Sequence, residues 1–392
     1  MHSKPTTTFA SLPYELQEML PLYLTPNELT ICARVNQAWY SVFHHHIWQH
    51  LDSLPRRGFG YWKYIFSGYC GWEGLTNNAH LVQAMTIHFD GEDRLYLDCN
   101  QEENDRVFEF SQDGRDVFFP RLRAGRFLGL KRRGGLVDGL LKMGSAIGWK
   151  ELTLEMFDEL DGEDEYGNVD RSILHADRMF KAILAQASTL EVLKLDGAGY
   201  FTSKDINHLL CSAPNLRVLQ LLGDRARTWA RQEPCLDAKD AAQSEWVCSN
   251  LEIFGCGIGG IPRPDIVRRI GGNTASSYTV QGTYDDSIDL QRGVYMQLGR
   301  LAELKELYLG SPLEKYEEEV DEAQVDEPER KDSPLRQFDC LAMTLDSGLD
   351  LLKSLKNLHT VELRDMEVYI GKPLEQKWVA ENWSKVKKVS FI

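Results

Sequence analysis

A short apolar pattern recurs along most of the chain: one apolar residue, two spacers, a second apolar residue, one spacer and a third. Apolar residues that alternate with polar ones are typical of a β-strand with one buried face. The clear instances are Val82-Met85-Ile87, Trp149-Leu152-Leu154, Leu190-Leu193-Leu195, Leu216-Leu219-Leu221, Leu251-Phe254-Cys256, Leu304-Leu307-Leu309, Leu358-Val361-Leu363 and Val386-Val389-Phe391, and a weaker one is Leu122-Gly125-Phe127. The pattern predicts nine strands.

The intervals between these triplets carry helical periodicity, with apolar residues three and four positions apart in 173–187, 203–211, 288–301 and 348–355. Several triplets begin about 27 residues apart and two begin about twice that far apart, which predicts a degenerate unit hidden in each long interval. A single strand–helix unit cannot bury its leucines alone, so the units must stack. The sequence therefore predicts an α/β solenoid of leucine-rich repeats, with a parallel sheet on the concave face.

The residues that alternate with the leucines are expected to point out of that concave face. They are Glu151, Thr153, Glu155, Lys194, Asp196, Gln220, Glu306, Tyr308, Glu362 and Arg364. Acidic residues predominate among them, so we expect this face to bind a basic or mixed-charge segment of a target protein. A solvated surface without a partner is the alternative.

Residues 9–51 form a different region, in which prolines separate three short helical patterns. Leu12-Pro13 precedes an apolar stripe, and Thr25-Pro26-Asn27-Glu28 has the form of a capping box at the start of a second helix. Three helices in about forty residues have too small an interior to bury this many large apolar side chains. The surplus requires a partner surface.

The spaced residues of this region resemble the F-box. The matching positions are Leu12-Pro13, Glu15-Leu16, Leu20, Tyr23-Leu24, Leu29, Cys32, Val35-Asn36, Trp39 and Ile47-Trp48, and the departure is Asn36, where cysteine is more usual. The resemblance implies docking on the adaptor subunit of SCF-type ubiquitin ligases, which bridges the F-box to a cullin. The residues that either face the adaptor or form the small core are then Leu12, Pro13, Leu16, Leu20, Leu24, Val35, Trp39 and Trp48. An N-terminal helical cap on the solenoid is the alternative.

The resulting organisation is an F-box at 8–52, a connecting segment at 53–80 and an irregular leucine-rich-repeat solenoid at 81–392. The resemblance implies a non-catalytic substrate-recognition subunit, in which the F-box binds the adaptor and the repeats bind an unknown target protein. A scaffold that uses the F-box without directing degradation is the alternative within this class. An enzyme or small-molecule receptor would need a pocket with convergent polar groups.

The charge balance removes two classes of partner. The chain has 44 Lys and Arg against 59 Asp and Glu, a net charge of −15. This disfavours nucleic acid and anionic membranes, because both require a basic surface. Much of the acidity lies in one segment, 313–335, which has no apolar periodicity and is predicted to be a loop inserted between repeats.

Metal, redox and catalytic motifs are weak in this sequence. The eight cysteines form no CxxC pair, which predicts free thiols in a reducing intracellular compartment, cytoplasmic or nuclear, and no zinc site. His46 and His50 have ligand spacing on one helix, but no carboxylate or thiol lies nearby in sequence, so a polar helix face is favoured. The glycines from 255 to 260 fit GxGxxG, yet Pro262 and Pro264 follow at once, which predicts a loop leaving a repeat strand. No cofactor is expected.

Overall fold

The computed structural model describes residues 12–52, 69–88, 111–112, 115–116, 119–131, 148–157, 179–196, 201–221, 235–262, 284–310, 341–364 and 373–391. The chain divides into two compact units, residues 1–129 with 135–149, and residues 130–134 with 150–392. Both units contain parallel strands and helices, so the α/β class is confirmed. Among the described residues, no helix combines the length and apolar character that a membrane crossing requires.

The first unit begins with four helical segments. They are α1 (Tyr14–Met19), a 3₁₀ helix (Leu20–Tyr23), α2 (Pro26–Ala33) and α3 (Gln37–Gln49). The predicted capping box is present at α2, where Thr25 Oγ1 accepts from the Glu28 amide and the Glu28 carboxylate accepts from the Thr25 amide. Asn36 caps α3 by accepting from the Trp39 amide at 3.0 Å. The residue that departs from the F-box pattern is therefore a helix cap, a role that asparagine performs well.

The rest of the first unit contains a short parallel sheet and further helices. Helix α3 runs directly into β1 (His50–Asp52), which pairs in parallel with β2 (Ala84–His88), and β2 pairs with β5 (Ala124–Lys131). A two-stranded antiparallel sheet joins β3 (Ser111–Gln112) to β4 (Arg115–Asp116). Helix α4 (Tyr69–Asn78) and a 3₁₀ helix (Ala79–Leu81) lie in the predicted connection 53–80, of which 53–68 is outside the described residues.

Gly125 explains why one of the nine triplets is weak. It stands where the other triplets have a large apolar residue, and a Cβ there would lie 2.6 Å from both the Trp149 and the Phe127 rings. These two rings are buried and meet edge to face, with their centroids 6.1 Å apart. The tryptophan ring therefore fills the space that a leucine side chain would otherwise take.

The second unit is a parallel sheet whose strands follow each other almost in sequence order. Its strands are β6 (Glu151–Phe157), β7 (Val192–Asp196), β8 (Val218–Gln220), β9 (Cys235–Asp237), β10 (Ile253–Gly259), β11 (Glu306–Gly310), β12 (Thr360–Arg364) and β13 (Lys388–Phe391). The central apolar residue of each triplet is in register with its neighbour; Leu193, Leu219, Phe254, Leu307, Val361 and Val389 form one row.

The helices of the second unit are α5 (Ser203–Ser212), α6 (Ala238–Gln243), α7 (Tyr284–Gly299) and α8 (Pro373–Asn382). Residues 179–184 are also helical. The predicted helix at 348–355 is a 3₁₀ helix instead, Leu349–Ser354. Its leucines 349, 352 and 355 are each three residues apart and fully buried, and three residues per turn is the 3₁₀ period.

All nine predicted strands are present, but no strand of a hidden unit lies between β10 and β11 or between β11 and β12. Strand β10 pairs directly with β11, and β11 pairs directly with β12, in unbroken register. The prediction of a degenerate unit between these strands is therefore wrong. The spacing between these triplets is long because the connections between adjacent strands contain additional residues. The acidic segment 313–335 belongs to one of these connections and lies outside the described residues.

Strand β9 and the glycine run correct a second expectation. Gly255, Gly257 and Gly259 form part of β10 and do not form a loop after it. Gly257 pairs with Gly310 of β11 on one side and with Cys235 of β9 on the other, so β9 continues the line of β8. The strand ends at Gly259, and the φ of +75° of the next residue, Gly260, and its close approach to Asp237 both favour glycine.

Buried polar side chains of α7 hold the segment that follows the acidic interval. Gln291 Oε1 accepts from the Ala342 amide at 2.8 Å, and Tyr295 Oη accepts from the Met343 amide at 3.0 Å. Met343 has a φ of 50° and is fully buried. The backbone amides of Ala342 and Met343 are thus satisfied by side chains and not by a strand.

Candidate partner-binding surfaces

The N-terminal module, which we define as residues 12–49, has a very small core. Its buried core cluster consists of Leu29, Ala33 and Phe43. Around them pack the partly buried residues Leu12, Leu24, Cys32, Trp39, Val42 and Ile47. Helices α2 and α3 supply most of this core, as the apolar positions on the two helices predict.

Large apolar side chains remain exposed around that core. Eight of the eleven exposed large apolar residues that the structure describes lie in the module: Leu16, Met19, Leu20, Leu22, Tyr23, Ile31, Val35 and Tyr40. Leu22 and Tyr23 are 72% and 77% exposed. Leu16, Leu20 and Tyr23 lie at four- and three-residue spacing, which places them on one side of α1 and the 3₁₀ helix. Such a concentration of exposed apolar residues is typical of a protein-binding surface.

The eight residues assigned to the adaptor divide into two groups. Pro13, Leu16, Leu20 and Val35 are exposed, whereas Leu12, Leu24, Trp39 and Trp48 are partly buried. Trp48 packs within the first unit, because a Cβ on Gly74 of α4 would lie 3.5 Å from its ring. The exposed four are suited to binding, and the other four support the module.

Several exposed residues were missed as site residues. Met19, Leu22, Ile31 and Tyr40 are between 47% and 72% exposed but are absent from the predicted set. The i, i+4 spacing of Ile31 and Val35 indicates a shared side of the chain, so Ile31 could have been assigned together with Val35. Leu22 shows no such spacing, because it follows the buried Pro21 in a short 3₁₀ helix and not in a regular α-helix.

The outward face of the second unit, meaning the sheet face opposite the leucines, is not uniformly acidic. Its first row runs Glu151, Val192, Val218, Ile253, Glu306 in register from β6 to β11. The three central residues are half-buried and apolar. Four strand spacings separate the two glutamates, about 19 Å. In this row, therefore, one acidic position lies on each side of an apolar centre.

The second row runs Thr153, Lys194, Gln220, Gly255, Tyr308, Glu362. Tyr308 donates to Glu306 Oε2 at 2.6 Å, which joins the two rows. The prediction that Glu362 lies on a free surface is wrong, because this residue is only 6% exposed. Glu155 and Asp196 are in register and half-buried. Arg364 pairs with Gly310 at the end of β12, and its side chain lies outside the described residues.

A row of charged residues precedes the strands of the second unit. Arg217 Nη2 lies 2.6 Å from Glu252 Oε1, and Lys305 Nζ lies 2.6 Å from Glu252 Oε2. Lys150 forms an ion pair with Glu191 in the same row. Hydrogen bonds from Lys305 and Arg217 hold the pKa of Glu252 below its usual range, and the hydrogen bond to Glu252 raises the pKa of Arg217. Because basic and acidic residues alternate from one strand to the next in this row, their ion pairs favour the observed register between neighbouring strands.

Two histidines of α3 meet a carboxylate from α1. His45 Nε2 lies 4.0 Å and His46 Nε2 lies 3.9 Å from Glu18 Oε2. His46 Nδ1 lies 3.2 Å from Gln49 Oε1. Burial and the neighbouring His45 lower the pKa of His46, and burial, His45 and His80 lower that of His44. The described structure therefore brings a carboxylate to the histidine run that the sequence places next to none.

The five cysteines with described side chains are free thiols. Burial raises the pKa of Cys248 to about 12 and also raises the pKa of Cys211. Both thiols remain protonated at neutral pH, and a protonated thiol is a poor nucleophile.

Comparison with known proteins finds no family model and no curated protein that matches the chain.

Proposed function

We propose that the chain is a substrate-recognition subunit of an SCF-type ubiquitin ligase, with the N-terminal module as an F-box and the second unit as a leucine-rich-repeat solenoid. The observation that carries the proposal is the exposed apolar set on the module, which includes Leu16, Leu20 and Val35 of the spaced F-box positions. Burial of apolar surface drives protein association, so this set supports a protein partner.

The size of the module also suits a protein partner such as the adaptor. A stable interface buries about 800 Å² on each partner, contributed by about 20 to 30 residues. The module has 38 residues in 12–49 and carries its exposed apolar residues on α1, the 3₁₀ helix, α2 and α3. An interface centred on Leu16, Leu20 and Leu22 is therefore large enough only if it includes most of one side of the module.

The second unit supports binding of a target protein. The outward face offers an apolar centre at Val192, Val218 and Ile253 between acidic positions at Glu151 and Glu306. A complementary target segment carries apolar side chains in the middle and basic ones on either side. This narrows the basic or mixed-charge segment that the sequence predicts.

In this role the chain performs no bond-making step. It holds a target near the ligase core, and the gain is in effective concentration of target lysines near the ubiquitin-loaded conjugating enzyme. The register between strands supports a fixed spacing within the second unit, because each strand is hydrogen-bonded to its neighbours.

The decisive experiment compares two leucine variants in co-purification with the SCF adaptor. We expect Leu16→Ala with Leu22→Ala to weaken adaptor binding at least about 30-fold, because central apolar anchors contribute about 1 to 2 kcal/mol each. Leu374→Ala is the matched control, since Leu374 is 69% exposed but lies on α8 of the second unit. Adaptor binding that is equal in both variants contradicts the proposal.

A second experiment tests the target-binding face. Targets are identified by mass spectrometry with the cullin inhibited, so that they accumulate on the wild-type chain. We expect Glu151→Lys with Glu306→Lys to lose those targets while retaining the adaptor. Glu381→Lys is the control, because Glu381 is 60% exposed on α8 and away from the outward face. Retention of every target by the double variant assigns recognition to another surface.

A further inference from the structure

One cluster in the N-terminal module has no role in the proposed function. Glu18 at the end of α1 approaches His45 and His46 of α3, and the ligand atoms of the three side chains all lie within 4.8 Å of one another. Glu18 precedes His45 by 27 positions in the sequence, yet the fold brings their side chains together. A carboxylate with two imidazoles is a common donor set for metal ions.

His46 has the geometry of a ligand that is already oriented. Gln49 Oε1 only accepts hydrogen bonds, so at 3.2 Å it places the proton of the His46 ring on Nδ1. Nε2 then carries a free lone pair. A ligating histidine typically donates its other ring N–H to such an oxygen, which fixes the tautomer and the ring plane.

The lone pair of His46 Nε2 is also buried. The His46 side chain is 9% exposed, and Nε2 has no hydrogen-bond partner among the described residues. Its neighbour Glu18 Oε2 lies at 3.9 Å, which is too long for a hydrogen bond. A buried acceptor without a donor carries a free-energy cost, because it has lost its hydrogen bond to water. An ion placed between these atoms removes that cost.

We propose that Glu18, His45 and His46 bind one divalent transition-metal ion of the zinc class. Tetrahedral ligands at about 2.0 Å from zinc are about 3.3 Å apart, so the three donors need to approach by roughly 1 Å. Rotation of the half-exposed Glu18 and His45 side chains supplies this movement. Three protein ligands leave the fourth position open to water.

Two imidazoles and one carboxylate favour a transition metal over a hard cation such as magnesium or calcium. Magnesium and calcium take oxygen ligands, whereas imidazole suits zinc, copper and nickel. Bound metal joins α1 to α3 and so fixes Leu16 and Met19 of α1 relative to the small core. The inference stands apart from the ligase proposal, because it concerns metal affinity and not any partner.

The test is a zinc titration of the full chain, without a histidine tag and freed of metal, in competition with a chromogenic zinc indicator. The expected result is one zinc ion per chain, and binding weakened at least about tenfold by Glu18→Gln and by His45→Gln. His50→Gln is the matched control, because it removes an imidazole beside the cluster but not within it. Its zinc affinity is expected to equal that of the wild type.

Two further readouts complete the test. Gln49→Leu is expected to weaken zinc binding about 10- to 100-fold, since it removes the oxygen that orients His46. Zinc is expected to raise the Tm of the wild type and of His50→Gln, but not that of Glu18→Gln. The absence of saturable zinc binding overturns the proposal. A loss in His50→Gln without one in Glu18→Gln also overturns it, because the ion then lies on the His46–His50 pair.

Discussion

The N-terminal module and the second unit place the same residue type in opposite environments. Leu20 and Leu22 of the module are 38% and 72% exposed, whereas Leu304 and Leu307 of the second unit are fully buried. In the second unit each strand has neighbours whose leucines cover its own. In the module, α2 and α3 with Leu12 and Leu24 enclose only a small core around Phe43, so part of the apolar surface is left exposed.

The difference shows how to interpret a leucine-rich sequence. A leucine repeated at strand spacing is buried by its own neighbours and reports on the fold. A leucine in a module too small to enclose it reports on a partner. Exposure and not residue type therefore separates structural leucines from binding ones in this chain.

The largest expected effect contrasts two leucine-to-alanine changes. Leu307→Ala in β11 is expected to reduce the free energy of unfolding by about 3 to 5 kcal/mol, because it leaves a cavity in the row between Phe254 and Val361. Leu22→Ala is expected to change it by less than about 0.5 kcal/mol. Urea unfolding measures both. Similar losses in the two variants would show that Leu22 is covered within the chain.

The next contrast lies on one helix. Tyr295→Phe removes the hydroxyl that accepts from the Met343 amide and is expected to cost about 1 to 3 kcal/mol, since a buried donor is left unpaired. Met296→Ala is the control, because Met296 is the next residue of α7 and is 54% exposed. Thermal and urea unfolding distinguish them. An unchanged stability of Tyr295→Phe contradicts the assigned hydrogen bond.

The same capping box occurs in both regions, at Thr25 with Glu28 and at Thr202 with Asp205. Thr25→Ala and Thr202→Ala are each expected to cost about 1 kcal/mol. Hydrogen exchange is expected to increase within residues 12–49 for Thr25→Ala, and along the second unit for Thr202→Ala, because stacked units share their stability. Exchange that spreads equally from both sites would remove the contrast between the two regions.

The smallest effect concerns pH and the charge row. The pKa of Glu252 is lowered in the folded chain, so its ion pairs stabilise the fold above the unfolded-state pKa, and this contribution is lost as the pH falls through the folded-state pKa. Glu252→Gln is expected to cost about 0.5 to 1 kcal/mol at pH 7 and nothing once the pH lies well below the folded-state pKa of Glu252. Glu381→Gln on α8 is the control and is expected to have no measurable effect. A difference between wild type and Glu252→Gln that persists at low pH contradicts the ion-pair account.

The sequence predicts the strands of the second unit well because their apolar positions repeat at a fixed offset. It does not predict β1 or β9, since His50–Asp52 and Cys235–Asp237 are too short to show a period and are strands only by pairing with β2 and β10. Nor does it distinguish a lengthened connection from a hidden repeat. That distinction depends on the hydrogen-bonded partner of β10, which is β11.

The candidate sites were less predictable than the strands. Periodicity assigns Glu362 to the outward face, but it carries no information on what covers that face, and Glu362 is buried. The approach of Glu18 to His45 and His46 depends on how α1 packs on α3. Contacts between distant segments are set by packing and leave no local signal in the sequence.

The direct pairing of β11 with β12 across a long connection has a consequence for how such a chain can change over time. Closing a loop twice as long costs only about 0.6 kcal/mol more, because the entropy of closure grows with the logarithm of length. The stretch from Gly310 to Thr360 is about twice that from Arg364 to Lys388, yet the strands at both places keep the same register. Insertions between strands are therefore nearly free of energetic penalty, and new surface can be added there without rebuilding the sheet.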